Sequence, residues 1–135
     1  MAQLIDTSLW IDLTRLRSPG ALKAFVAPYI NDPEAHLADP ITFELLRFAT
    51  DAEASLLTQY FANVPKLSCP DDLWTLAAKL GQECRKTGIT AGAIDLLIST
   101  VAIFHSAELV TFDEDFQLIA GASALKVKIL KRPVP

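Results

Sequence analysis

A chain of 135 residues with 51% hydrophobic and 21% charged side chains is long enough to bury a core as one domain and too apolar to be disordered. Its net charge of −4 argues against a basic coat for nonspecific nucleic-acid binding, but not against a nuclease, because a cluster of carboxylates lowers the charge of a metal-free protein. The longest apolar segment, AIDLLISTVAIF, is interrupted by Asp95 and too short to cross a bilayer, and MAQLID lacks the basic region and apolar stretch of a secretion signal, so a cytoplasmic protein is expected.

In chain order, QLID reads as a short apolar strand, followed by a helix from SLWIDLTRL that Thr7 or Ser8 could cap. Ser18, Pro19 and Gly20 mark a break before a helix over ALKAFVAPYI, in which Pro28 predicts a kink or an early end. HLAD is a second strand. Asp39 is then placed as an N-cap, with Pro40 at the first position of a helix through ITFELLRFA. DAEASLLTQYFANV is a further amphipathic helix, KLS a brief strand, and CPDDLWTLAAKLGQECRKTG a long helix with acids at its start, bases in its last turn and Gly88 at its end. A helix over AGAIDLLISTVAIFHS leads to the strand ELVTF, a helical turn near EDFQLIAG and a last strand KVKIL.

Strands alternating with helices imply an α/β single domain over residues 1–135, with a central, mostly parallel sheet of about five strands flanked by helices. Ligands of such sheets bind beyond the carboxyl ends of the strands. Asp6 and Asp113 fall at those ends, and Glu44 and Asp95 can join them from the N-terminal turns of helices, where the dipole favours a carboxylate. All four acids interrupt apolar runs, and burying several carboxylates together is unfavourable unless a cation, a proton or many hydrogen bonds compensate. The pattern therefore points to a divalent metal site. Thr7, Ser8, Ser99 and Thr111 are placed to orient the carboxylates or waters.

Other polar residues fit plainer roles. Cys69 and Cys84 have no CxxC spacing and His36 and His105 lie far from them, which makes zinc improbable and the thiols ordinary, with a disulfide left open. Asp71 and Asp72 suit a helix start, Asp12 a solvated helix face, and Trp10 and Trp74 a core or an interface. Lys126, Lys128, Lys131 and Arg132 suit a solvated edge strand.

The opening DTSLWIDL, the mid-chain ELLR, the AIDLLIS segment and the late TFDEDF resemble, in order and spacing, the PIN-domain ribonucleases, especially the VapC-like toxins of bacterial type II toxin-antitoxin modules. The resemblance covers almost the whole chain. It implies that Asp6, Glu44, Asp95 and Asp113 are metal-binding carboxylates holding Mg²⁺ or Mn²⁺, one ion or two, for hydrolysis of RNA phosphodiester bonds. Many relatives have Asn at the position of Asp113 and an acid near Asp115, so either aspartate could complete the site, and Ser8 stands where Asn is frequent. The resemblance further implies a homodimer and an antitoxin protein that covers the acidic pocket; the helices around Ala21 to Ile30 and Ala52 to Phe61 have apolar faces that could supply a groove for it, while packing on the sheet accounts for most of those residues.

Other classes meet the residues less well. A receiver-like domain needs an acidic pair beside the first strand, and Asp6 has no such neighbour; a phosphatase opening on DxD would carry that motif early, not at Asp113 and Asp115. A noncatalytic α/β binding module remains, with the acids as helix caps and turn residues.

Overall fold

In the computed structural model, residues 1–133 are described. The order is β1 (Gln3–Ile5), α1 (Thr7–Thr14), α2 (Gly20–Ile30), β2 (Ala35–His36), α3 (Asp39–Leu46), α4 (Asp51–Phe61), α5 (Leu73–Lys86), α6 (Ala93–Phe104), β3 (Glu108–Thr111), α7 (Asp115–Gly121) and β4 (Lys126–Ile129). The strands form one parallel sheet in the order β2-β1-β3-β4, with Gln3 opposite both Ala35 and Glu108, and Thr111 opposite Ile129. The chain leaves β1 to one side for β2 and returns on the other side for β3, so the change of direction falls beside the carboxyl ends of β1 and β3. That is the usual place for a ligand crevice in an open parallel sheet.

Apolar strands buried on both faces hold the sheet together. Leu4, Ile5, Leu109 and Val110 are fully buried, and Leu9, Trp10, Ile41, Ile98, Val101 and Phe116 come down on them from the helices. Trp10 is a core residue, as expected; its indole N–H donates to the Ile5 carbonyl at 3.2 Å and its ring meets Phe61 edge-on. Trp74 differs: it is 73% exposed on α5.

Several local expectations need correction. The KLS segment forms a single parallel bridge, Leu37 to Lys66, in place of a fifth strand. Leu37 N–H donates to Pro65 O and Leu67 N–H to Leu37 O, and the flanking Pro65 and Pro70 supply no N–H to lengthen the ladder. The cap of α1 is Asp6 rather than Thr7 or Ser8, and that of α3 is Ala38 rather than Asp39, whose carboxylate instead meets Lys66 at 3.0 Å. α3 stops at Leu46, short of the expected run through Ala49. α2 runs through Pro28 and ends two residues later at Ile30. Asp12 is buried, not solvated, and accepts from Arg132 Nε at 2.8 Å, while the Arg132 guanidinium lies 4.4 Å from the Phe112 ring centroid. Gly88 ends the α5 segment with φ +82°, the left-handed conformation in which a Cβ would be strained.

β4 is an edge strand whose Lys126 and Lys128 are exposed, as charged side chains on a solvated edge are expected to be. Cys69 and Cys84 are free thiols. Both histidines are engaged by backbone carbonyls, His36 Nδ1 with Glu34 and His105 Nε2 with Ser68.

Candidate metal centre

Because β1 and β3 are parallel neighbours, the residues that follow them emerge at the same end of the sheet. The Asp6 N–H still belongs to the ladder, donating to Val110 O at 3.0 Å, after which the chain turns into α1. Asp6 is 4% exposed, and its Oδ2 receives Ser8 Oγ at 2.9 Å, the Ser8 N–H at 3.4 Å and Thr111 Oγ1 at 2.6 Å. The two hydroxyls are themselves fixed: Ser8 Oγ accepts from the Phe112 N–H at 3.1 Å and Thr111 Oγ1 from the Asp113 N–H at 2.9 Å. The network therefore ties the end of β1 to the end of β3 and spends only one oxygen of Asp6. Oδ1 takes no part in these bonds.

The other acids arrive from separate elements. Asp95 is in the first turn of α6, half-buried, where the helix dipole assists a negative charge. Glu44 is the sixth residue of the eight in α3, so it approaches from nearer the C-terminal end of its helix and has no such help, contrary to expectation. Asp113 follows β3 by two residues, and its Oδ1 accepts the Asp115 N–H at 2.9 Å, opening the turn into α7. Asp6, Glu44, Asp95 and Asp113 all line one cavity of about 350 Å³. Asp115 is exposed and lines a neighbouring cavity of about 370 Å³, which shares Asp95 with the first.

Electrostatics reports the same gathering. The Asp95 carboxyl is pushed up to about 7, first by burial and then by the charges of Asp113, Asp6, Glu44 and Asp115 in that order. Burial also raises Asp6, against the lowering effect of the hydrogen bonds from Thr111, Ser8 and Thr7. Among the described residues, none of these five acids forms an ion pair. Nor do three or more His, Cys, Asp or Glu side chains stand arranged to hold a metal ion. The carboxylates share a cavity without closing into a shell.

The polar lining nevertheless fits a hard cation. Thr7 is among the residues lining the cavity, and its Oγ1 is buried without a hydrogen-bond partner. All the acids offer oxygen, the donor that Mg²⁺ and Mn²⁺ prefer. Of the hydroxyls expected to orient carboxylates, Ser8 and Thr111 do so, whereas Thr7 Oγ1 and Ser99 Oγ are buried without partners and hold no carboxylate.

The cavity also contains residues that were not anticipated as functional. Arg15 follows α1, Arg47 and Phe48 follow α3, and Glu53 and Leu57 are brought in by α4. Arg47 had a signal in the sequence, since it lies three residues after Glu44 and shares its helical face. Arg15 had none, because its direction depends on how α1 leaves the sheet.

The family model for the PIN domain matches residues 4–122, a span that contains every acid described above. The chain belongs to the PIN-domain family. Within it the chain is VapC-like: it is 33% identical to VapC ribonuclease Mb1587 of Mycobacterium bovis and to ribonuclease VapC11 of Mycobacterium tuberculosis, in each case over 91% of this chain and 95% of the relative. Solved structures share the PIN-type fold at lower identity. VapBC2 from Rickettsia felis, bound to a DNA fragment from its promoter, gives a TM-score of 0.76 at 17% identity over 97% of this chain and 100% of that one. DNA-bound VapBC from Salmonella typhimurium gives 0.73 at 14% identity, over 96% and 98%.

Proposed function

We propose that this PIN-domain protein is a metal-dependent endoribonuclease, the toxin of a toxin-antitoxin pair, that hydrolyses RNA phosphodiester bonds. The observation that carries the reading is Asp95: a carboxylate in a helix's first turn, surrounded by four others and paired with no cation, is costly in its charged form, and a bound cation would relieve that cost above neutral pH. The names of the relatives at 33% identity, both ribonucleases, support the reaction class.

Asp6 and Asp95 would be the central ligands of Mg²⁺ or Mn²⁺, with Glu44 and Asp113 completing the set or positioning the attacking water. Asp113 is preferred to Asp115 for that role because it lines the cavity of the other three. When bound, such an ion makes a coordinated water easier to deprotonate and offsets charge on the phosphate. The chain's own contribution is positional. Ser8 and Thr111 lock Asp6 through Oδ2, while Asp113 is steadied by the Asp115 N–H.

The relatives solved as VapBC complexes support a protein antitoxin as partner, and an acidic cavity suits an arginine side chain from it, since a guanidinium satisfies carboxylates with two parallel hydrogen bonds. A homodimer is proposed on the family resemblance. Among the described residues no helix is long and apolar enough to cross a membrane, and an RNA substrate would be met in the cytoplasm.

Purified protein freed of any partner, incubated with mixed RNA and Mg²⁺ or Mn²⁺, tests the reading. Cleavage should stop with EDTA and fall on the order of a hundred-fold or more in Asp6→Asn at unchanged folding. RNA left intact under every metal condition would replace the nuclease with a noncatalytic binding module.

A further inference from the structure

At the mouth of the carboxylate cavity stands a group of side chains that packing within the chain does not explain. Phe48 is 80% exposed just past the end of α3, and the Arg47 guanidinium lies 4.5 Å from its ring centroid and 6.0 Å from that of Phe43, itself 56% exposed. Arg47 and Phe48 both line the cavity, as does Arg15 from the end of α1. Burial within this chain is not what holds Phe48 in place. Neither arginine forms a salt bridge among the described residues, although the Glu53 carboxyl is lowered by the Thr50 N–H and also by the Arg15 charge, and Arg47 is three residues from Glu44 on one helical face.

A guanidinium resting on an exposed ring makes a flat, cationic, aromatic shelf. Unpaired nucleotides present what such a shelf takes, a base with a π-face and a phosphate next to it. The charge balance of the cavity favours the same ligand. A phosphodiester approaching five carboxylates needs positive groups beside it, and Arg15 and Arg47 are the two basic residues in the lining.

We propose that Phe48 and Arg47 form a stacking platform for one unpaired base of single-stranded RNA next to the cleaved bond, with Arg15 and Arg47 contacting the adjoining phosphate. The proposal rests on the nuclease reading and adds to it the side chains that position the substrate at the cavity. Phe48 and Arg47 act here in substrate positioning.

The test is steady-state cleavage of a labelled single-stranded oligoribonucleotide, in Mn²⁺, by wild type, Phe48→Ala, Phe48→Trp and Arg47→Ala, repeated with oligonucleotides carrying one abasic position at successive sites. Phe48→Ala should lower kcat/KM about ten-fold, mainly through KM, and Phe48→Trp should restore it. One abasic position beside the cut should cost wild type a similar factor and cost Phe48→Ala almost nothing more, because the contact is already gone. Thermal melting should be unchanged, Phe48 being exposed. Wild-type kcat/KM in Phe48→Ala, or equal losses on abasic and intact RNA in both proteins, would overturn the platform while leaving the nuclease intact. A change in oligomeric state by light scattering with cleavage unaltered would assign the patch to a protein contact and overturn it too. If wild type cleaves nothing, the nuclease reading falls, and the platform with it.

Discussion

Thr111 joins two carboxylate-bearing segments through one hydroxyl, donating to Asp6 Oδ2 and accepting from the Asp113 N–H. Thr111→Val keeps the shape and removes both bonds, leaving a buried Asp6 with a missing donor. We expect a loss of about 1–2 kcal/mol in stability and a ten- to hundred-fold fall in activity or metal affinity of about the size seen when groups behind metal ligands are removed; denaturant melts and metal titration check the two parts. At Asp95 the prediction concerns pH. Its folded-state pKa, about 7, lies above the ordinary 3.8, so between these values the folded chain keeps a proton that the unfolded chain has released. That stabilising difference is complete below about pH 4 and is lost as pH rises through 7. EDTA-treated protein should therefore be less stable at pH 8 than at pH 5. Asp95→Asn should raise its melting temperature at pH 8 and leave it unchanged near pH 3; allowing for solvent screening of a half-exposed group, about 1 kcal/mol or roughly 4 °C is expected. A wild-type melting temperature that does not fall between pH 5 and pH 8 would contradict this.

Helices set the reach of each acid. α1 begins immediately after β1 because Asp6 caps it, so the residue at the heart of the cavity is also the one that ends a strand and starts a helix. α4 closes the far wall with Leu57 and Glu53, and it is held at its start by a capping box in which Thr50 Oγ1 accepts from the Glu53 N–H and the Glu53 carboxylate accepts from the Thr50 N–H. The Thr50 backbone N–H, bonded to the Glu53 carboxylate, lowers the pKa of that group, with a smaller contribution from the Arg15 charge. Glu53→Ala should lower stability slightly in denaturant melts and, since it removes a carboxylate from the cavity wall, should alter cleavage more than a cap remote from the site would. Identical activity in this variant would show that α4 contributes only packing.

For the whole molecule, the functional pole is the result of strand order. With β1 and β3 adjacent and parallel, Asp6 and Asp113 meet across 107 positions of sequence, and α3 and α6 bring Glu44 and Asp95 onto the same end. Mutual repulsion among these acids means that a bound cation should stabilise the entire fold. At a hundred times the dissociation constant, Mn²⁺ should add about 2.7 kcal/mol, visible as a rise in melting temperature. The rise should be larger at pH 8 than at pH 6, because Asp95 must lose its proton to bind. Asp6→Asn should remove most of it, and a melting temperature indifferent to Mn²⁺ at pH 8 would count against a metal centre.

The sequence alone determined the α/β class, the parallel sheet and most elements to within a few residues, because period-two and period-3.6 apolar patterns encode which face is buried. It also singled out Asp6, Glu44, Asp95 and Asp113, since a carboxylate inside an apolar run is costly wherever the chain goes. Local pattern failed where the competing partner was distant. Asp12 reads as solvent-facing until Arg132 reaches it from the C-terminal segment, and KLS reads as a strand until prolines on either side limit its ladder to a bridge. Only the tertiary structure decided that Asp113 shares the cavity of the other acids while Asp115 borders the next one, that the Ser8 and Thr111 hydroxyls hold Asp6 while those of Thr7 and Ser99 hold no carboxylate, and that Arg15, Arg47 and Phe48 line the cavity. The reason is geometric. Residue type and spacing fix which side of its own element a group occupies, whereas its neighbours across the cavity depend on strand order and on the angle at which each helix leaves the sheet.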